Sequence, residues 1–138
     1  MFHLNARPGQ FCWVDLAASD ADAAKTFYGQ LFGWTSSAQS ANGGSFTRLL
    51  ASGQDVGSVY QLSERHLAGG VPSHWTPYIR VDDVDAAAQR AVALGGEIIV
   101  RPFAVAGAAR IALVQDCVGA LFGLWEPIGV NSGGVKRD

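Results

Sequence analysis

The chain has little cysteine, little charge and no long apolar run, and each shortage excludes something. Cys12 and Cys117 are the only two cysteines in 138 residues, far apart and in no metal or redox spacing. Both read as free thiols, which behave as small hydrophobes. Charged residues make up 16%, with a formal net charge of −2 and no basic stripe, which argues against a nucleic-acid partner. No apolar run approaches the roughly 18 residues that a membrane span requires. The start, Met1-Phe2-His3-Leu4-Asn5, lacks the basic-then-apolar layout of a signal peptide, so the expected location is cytoplasmic. Gly-Gly pairs at 43, 69, 95 and 133 mark turns and a helix stop. None opens a phosphate loop, because no strand-to-helix glycine turn with a lysine follows. The serines show no visible His/Asp arrangement, and His3 and His66 fall in terminal and linker stretches where they are expected to be solvated.

What is present is a duplication. Asp20-Ala21-Asp22-Ala23-Ala24 returns as Asp83-Val84-Asp85-Ala86-Ala87, an offset of 63 that also pairs Leu16 with Ile79, Leu31 with Leu94 and Gly33 with Gly96. Val56-Gly57-Ser58-Val59-Tyr60-Gln61-Leu62 is echoed by Val118-Gly119-Ala120-Leu121-Phe122-Gly123-Leu124 at an offset of 62. Two copies of roughly 55 residues are too few for a repeat array, and each is too small to bury much core alone. With 49% apolar residues the chain has the composition of one packed globular unit.

Each copy reads as a strand, a helix and three strands. In the first, residues 11–17 form a strand. Ser19 or Asp20 caps a helix running to about Phe32, with Asp22 against its positive end and Gly33 as its stop. Ala23, Ala24, Phe27 and Leu31 fall at helical spacing and are expected to form its buried stripe. The boundaries that follow are 9–62 for a first βαβββ module, 63–73 for a polar linker, 74–127 for a second module and 128–138 for a frayed tail. The expected class is α+β, with two tandem βαβββ modules whose open faces form a shared cleft.

This order, with Asp20-Ala-Asp-Ala-Ala-Lys-Thr-Phe-Tyr28, Leu31-Phe-Gly-Trp34, Val81-Asp82-Asp83-Val84-Asp85-Ala86-Ala87 and Asp116-Cys-Val-Gly119, resembles the vicinal oxygen chelate superfamily. That superfamily contains glyoxalase I, bleomycin resistance proteins and extradiol dioxygenases, and the resemblance covers about residues 9–127. It spans isomerases, lyases, dioxygenases and non-catalytic binders, so the fold does not name an activity. The resemblance implies that the enzymes hold a divalent metal through His, Glu or Gln on the first and last strand of each module. The corresponding positions here are Trp13, Gln61, Thr76 and Gly123. Only Gln61 could offer a donor of the family type, so no metal and no cofactor is expected. A slip of one residue brings Cys12 or Val14 and Trp75 or Pro77, which mends nothing. His74 keeps the strand parity of Thr76 and could face the cleft mouth.

Alternation along strands sends every second side chain to one face. Val14, Leu16 and Ala18, with Pro77, Ile79 and Val81, suit the helix-covered side. The opposite parity assigns Trp13, Asp15, Val59, Gln61, Thr76, Tyr78, Arg80, Leu121, Gly123 and Trp125 to the cleft. Aromatic walls with few polar groups suit a flat organic ligand. No catalytic residue is certain, and the candidates are Asp15 and Tyr78. A part-buried Asp15 is either a general base or a charge partner of Arg80 or Arg48. Tyr78 could donate to a ligand carbonyl. Trp13 and Trp125 either wall a cleft or fill a core, and Gly123 leaves room for a flat aromatic.

Four functions stand in order of preference. The first is a metal-free binder of a small aromatic or amphipathic molecule, with homodimerisation implied by the resemblance. The others are a partner-binding module whose cleft is packed shut, a metal-independent lyase or isomerase using Asp15 or Tyr78, and a metal-dependent glyoxalase- or dioxygenase-type enzyme. No nucleic-acid or membrane partner is expected.

Overall fold

A computed structural model describes residues 5–41, 44–105, 107 and 109–128. By its internal contacts the chain divides into two compact units, one of Trp13–Thr76 and one combining residues 5–12 with 77–128. The first copy runs β1 (Phe11–Ala18), α1 (Ala21–Phe32), β2 (Thr35–Ala41), β3 (Gly44–Ala51) and β4 (Gln54–Gln61). A short helix, α2 (Glu64–Ala68), follows. The second copy runs β5 (His74–Arg80), α3 (Val84–Ala93), β6 (Glu97–Val105), β7 (Ala109–Gln115) and β8 (Leu121–Pro127). The architecture is α+β. Strand order is β2-β3-β4-β1 in one copy and β6-β7-β8-β5 in the other. In both, the first strand lies parallel to the last and the remaining neighbours are antiparallel. Among the described residues no helix is long and apolar enough to cross a membrane.

The helices begin and end where the sequence dictates. Asp20 caps α1 by accepting from the Ala23 amide at 3.0 Å, and Asp83 does the same for α3 from Ala86 at 3.1 Å. Gly33 takes φ 76° and ends α1, a left-handed conformation that costs a residue without Cβ little. The expected linker contains a helix that its polar composition hid: Ser63 caps α2 by accepting from the His66 amide.

The buried stripe of α1 differs from the expected one. Ala21, Ala24 and Tyr28 pack on the core of Leu16, Ala18, Leu49 and Val59. Phe27 and Leu31, each 58% exposed, point outward. Residues 21, 24 and 28 make an i, i+3, i+7 line, and Phe27 lies one 100° step off it. In the second unit α3 covers Val84, Ala88, Ala112, Val114 and Leu124.

Strand register also revises the internal repeat. Leu16 lies beside Val59 and Ile79 beside Leu124. Since Leu16 and Ile79 are 63 apart, Val59 corresponds to Leu124 at an offset of 65, not to Leu121 at 62. Bulges and turn lengths that differ between the copies set this offset: β6 slips register against β7 between Ile98 and Val100 and again between Val100 and Phe103, each slip adding one residue, while β2 pairs with β3 without interruption and β4 slips once against β3. The corrected offset matches Gln61 with Glu126, and their hydrogen bonds agree. The Gln61 Oε1 accepts from the Ala21 amide at 2.8 Å, and the Glu126 Oε1 from the Val84 amide at 2.8 Å. Each last strand thus satisfies the first free amide of its own helix.

Gln61 further donates through Nε2 to the Ser19 carbonyl at 2.8 Å. Replacing it with Leu leaves these exposed backbone groups to water and should cost about 0.5–1.5 kcal/mol in urea unfolding. An unchanged midpoint would show that water replaces the amide at no cost.

Candidate functional site

The face of each sheet away from its helix follows from the parallel pair. In the first unit Asp15 lies beside Ser58 and Ala17 beside Tyr60. Trp13, Asp15 and Ala17 therefore share a face with Ser58 and Tyr60. These groups form a chain. The Trp13 indole Nε1 donates to the Ser58 Oγ at 2.8 Å, and the Ser58 hydroxyl donates to the Asp15 Oδ1 at 2.7 Å. The hydroxyl is fixed as the donor to the carboxylate because the indole can only donate.

Burial is the main influence on the Asp15 carboxyl and lifts it from the ordinary 3.8 to about 6. The Ser58 hydrogen bond and the positive charge of His74 pull in the opposite direction. Tyr60 is pushed up as well, by burial and then by the negative charge of Asp15. His74 binds the Pro72 carbonyl through Nδ1 at 2.8 Å, so Nδ1 carries the proton there. Thr76 is buried. Arg48 is held by Asp55 at 2.7 Å, so this candidate partner of Asp15 is engaged elsewhere.

In the second unit Tyr78 lies beside Gly123 and Arg80 beside Trp125. Tyr78 meets Trp125 edge to face, with ring centroids 5.8 Å apart and planes at 80°. The Tyr78 ring occupies the space into which a Cβ at Gly123 would project, so the glycine makes room for a flat aromatic. Tyr78 is 4% exposed and Trp125 9%, as is Trp13 in the first unit. Leu121 is half-buried at the start of β8. Cys12 is fully buried, and burial lifts its thiol to about 11, against the opposing pull of the Arg80 charge. It is not a nucleophile at neutral pH.

Two expected cleft residues lie on the other side. Val59 packs in the helix-covered core, and the Gln61 amide serves the N-terminus of α1. The offset of 62 was three short of 65, and an odd error reverses the face. Both residues line a groove of about 410 Å³ beside the start of α1, with Ala21, Lys25 and Thr47 among its other walls. The residues that β4 does place on the aromatic face are Ser58 and Tyr60, which the sequence reading missed. Counting parity from Asp15 at the corrected offset finds them.

The same correction moves one family metal position. Gly123 faces Tyr78, Asp15 is the counterpart of Tyr78, and Ser58 faces Asp15. With Gly123 kept as the reference, the set implied by the resemblance becomes Trp13, Ser58, Thr76 and Gly123. An indole, two hydroxyls and a hydrogen atom do not fit a divalent cation, which takes imidazole, carboxylate or thiolate donors. Among the described residues no three His, Cys, Asp or Glu side chains form a group that could hold a metal.

Two βαβββ units with parallel first and last strands define the glyoxalase-like class of α+β proteins. The family model for the Glyoxalase/Bleomycin resistance protein/Dioxygenase superfamily matches residues 10–124, and the chain belongs to that superfamily. CFP32 of Mycobacterium tuberculosis, provisionally named a glyoxylase, is 35% identical over 122 residues, covering 87% of this chain and 46% of that protein. The anthracycline biosynthesis protein DnrV of Streptomyces peucetius is 36% identical over 133 residues, covering 86% of this chain and 47% of that protein. The chain thus spans about half the length of these curated relatives. Among solved structures, methylmalonyl-CoA epimerase from Mycobacterium tuberculosis superposes with a TM-score of 0.64 at 20% identity, over 96% of this chain and 98% of that one. At that identity the likeness is one of fold.

The raised Asp15 value gives a stability prediction. Its neutral form is favoured in the folded state, so its contribution is complete below 3.8 and is lost as pH climbs through about 6. Asp15→Asn keeps the acceptor for Ser58 and removes the buried charge. It should raise the Tm at pH 7.5, by an amount worth roughly 3 kcal/mol, and leave it unchanged at pH 3.5. Thermal melts at both values check this. An equal shift at both would mean that burial does not raise the carboxyl's pKa.

Proposed function

We propose that the protein is a metal-independent binder of a flat, aromatic or amphipathic organic molecule. The observation that carries the reading is the occupancy of the family's metal positions by Trp13, Ser58, Thr76 and Gly123, groups that offer ring surface and hydroxyl hydrogen bonds instead of metal donors. The Trp13–Ser58–Asp15 chain supplies a pre-set polar group beside ring surface. Taken by itself, the second unit carries an aromatic pair of its own, Tyr78 and Trp125. Sparse polar groups among aromatics orient a ligand that apolar area retains. Relatedness to an anthracycline biosynthesis protein agrees with a polycyclic aromatic ligand.

Intrinsic tryptophan fluorescence, titrated with 1,4-dihydroxyanthraquinone in EDTA and again with Zn²⁺, Ni²⁺ or Fe²⁺, tests this. Saturable quenching in EDTA is expected. Trp13→Phe, which keeps a ring and removes the N–H that Ser58 receives, should weaken binding roughly fivefold. Quenching that needs a metal ion, or no saturable quenching at all, would overturn the proposal.

A second reading has its own support. A carboxyl near 6 is matched to proton abstraction at neutral pH, which favours a metal-independent lyase or isomerase with Asp15 as general base. Under it Asp15→Asn abolishes turnover and preserves ligand quenching.

We infer further that two copies associate, because the matched relatives are about twice as long as the segment they share with this chain. Light scattering at micromolar concentration should give twice the chain mass, and a monomer mass would refute the pairing.

A further inference from the structure

We propose that the ligand is an anion and that Arg80 is the residue that selects it. The inference rests on the binding reading above and adds the ligand's charge. Arg80 stands on the aromatic face of the second unit, two residues from Tyr78 and directly across from Trp125. Its Nη1 donates to the Ala6 carbonyl at 2.7 Å. Its Nε–H is buried and makes no hydrogen bond among the described residues. Among the described residues the ion pairs join Lys25 to Asp22, Arg48 to Asp55 and Arg110 to Asp85, and no carboxylate neutralises Arg80.

A half-buried guanidinium without a counter-ion, and with one buried N–H unsatisfied, is costly. The single carbonyl it holds does not repay the charge. An anion does, because the Nε and Nη edge of arginine binds a carboxylate or sulfonate with paired, charge-assisted hydrogen bonds.

The internal duplication shows that the fold does not require the arginine. Its counterpart at the offset of 63 is Ala17, which occupies the same strand position in the first unit and is fully buried. A βαβββ unit therefore closes with a methyl group at this site. The guanidinium is an addition to the second copy, at a place where Tyr78 and Trp125 already supply ring surface. An aromatic body carrying one carboxylate, sulfonate or ionised phenol matches those neighbours.

Two probes with one aromatic frame separate charge from shape: 8-anilinonaphthalene-1-sulfonate and neutral N-phenyl-1-naphthylamine. Both are titrated by fluorescence against the wild type, Arg80→Gln and Arg80→Lys, with circular dichroism as a check on folding. The wild type should bind the sulfonate at least tenfold tighter than the neutral probe. Arg80→Gln should erase that preference and leave the neutral probe's affinity within about twofold. Arg80→Lys, which keeps the charge and loses the fork, should retain part of it. If Arg80 served only to hold Ala6, its loss would weaken both probes together or neither, and the ratio would not move. An unmoved ratio in Arg80→Gln overturns this proposal and leaves the binding reading intact. Saturable binding of neither probe overturns both.

Discussion

Everything in this molecule is referred to the parallel pairing of the first strand of each unit with its last. That pairing is non-local: β1 and β4 meet only after a helix and two strands have been laid down between them. It decides which side of each strand the helix covers, since the helix follows directly from the first strand and packs back over it. Leu16, Ala18 and Val59 then become core, and Trp13, Asp15 and Ser58 become the opposite face. The hydrogen bond from the Ala21 amide to Gln61, repeated from Val84 to Glu126, ties the helix start to the same strand pair. Helix position and strand parity are thus fixed by one arrangement.

Two copies of one scaffold provide an internal control that a single module lacks. Where both copies agree, the residue serves the fold. The aspartate caps, the carbonyl-type acceptor at the end of the last strand and the apolar pairs under the helix fall in this class. Where they differ, the fold has tolerated a choice. Phe27 is answered by Arg90 and Trp34 by Glu97 at the offset of 63, so the ring cluster around Tyr28, which Trp75 of β5 joins, has no equivalent on the helix of the second copy. Its members touch edge to face and in stacks, and they leave Phe27 and Phe32 largely exposed. The fold does not demand this surface. It adds apolar area that the equivalent helix of the second copy does without.

Much of the fold was legible because its signals are local. Asp20, Gly33 and Asp83 announce helix ends through backbone chemistry that acts within four residues. The strands announce themselves by length and by the turns between them. The superfamily follows from the doubled pattern. The face assignment of β4 was not legible in the same way, because parity there depends on register, and register depends on bulges in β6 that leave no mark in composition. The Val-Gly echo at 62 was a similarity of letters. Hydrogen bonding places the equivalence at 65. One odd error carried Val59 and Gln61 to the wrong face and hid Ser58. In the second unit Tyr78 lies beside Gly123 and Arg80 beside Trp125, so the strand parity there needs no such shift. The outward turn of Phe27 and Leu31 was missed for a different reason. A helix of mixed apolar residues admits two stripes, and packing against Leu16 and Leu49 chooses between them.

The two exposed-strand faces carry opposite electrostatic problems, and the duplication makes the contrast plain. The first unit places a carboxyl, Asp15, where the second has Tyr78. The second places a guanidinium, Arg80, where the first has Ala17. Burial makes the Asp15 carboxyl easier to protonate, lifting it to about 6 against the Ser58 hydrogen bond and the His74 charge, so it sheds its charge only in mild acid. Arginine has no such escape, because guanidinium does not deprotonate in a protein. The counterpart of Asp15 in the second copy is Tyr78 and the counterpart of Arg80 in the first is Ala17, so the repeated frame closes without either charge and each is an addition to one copy.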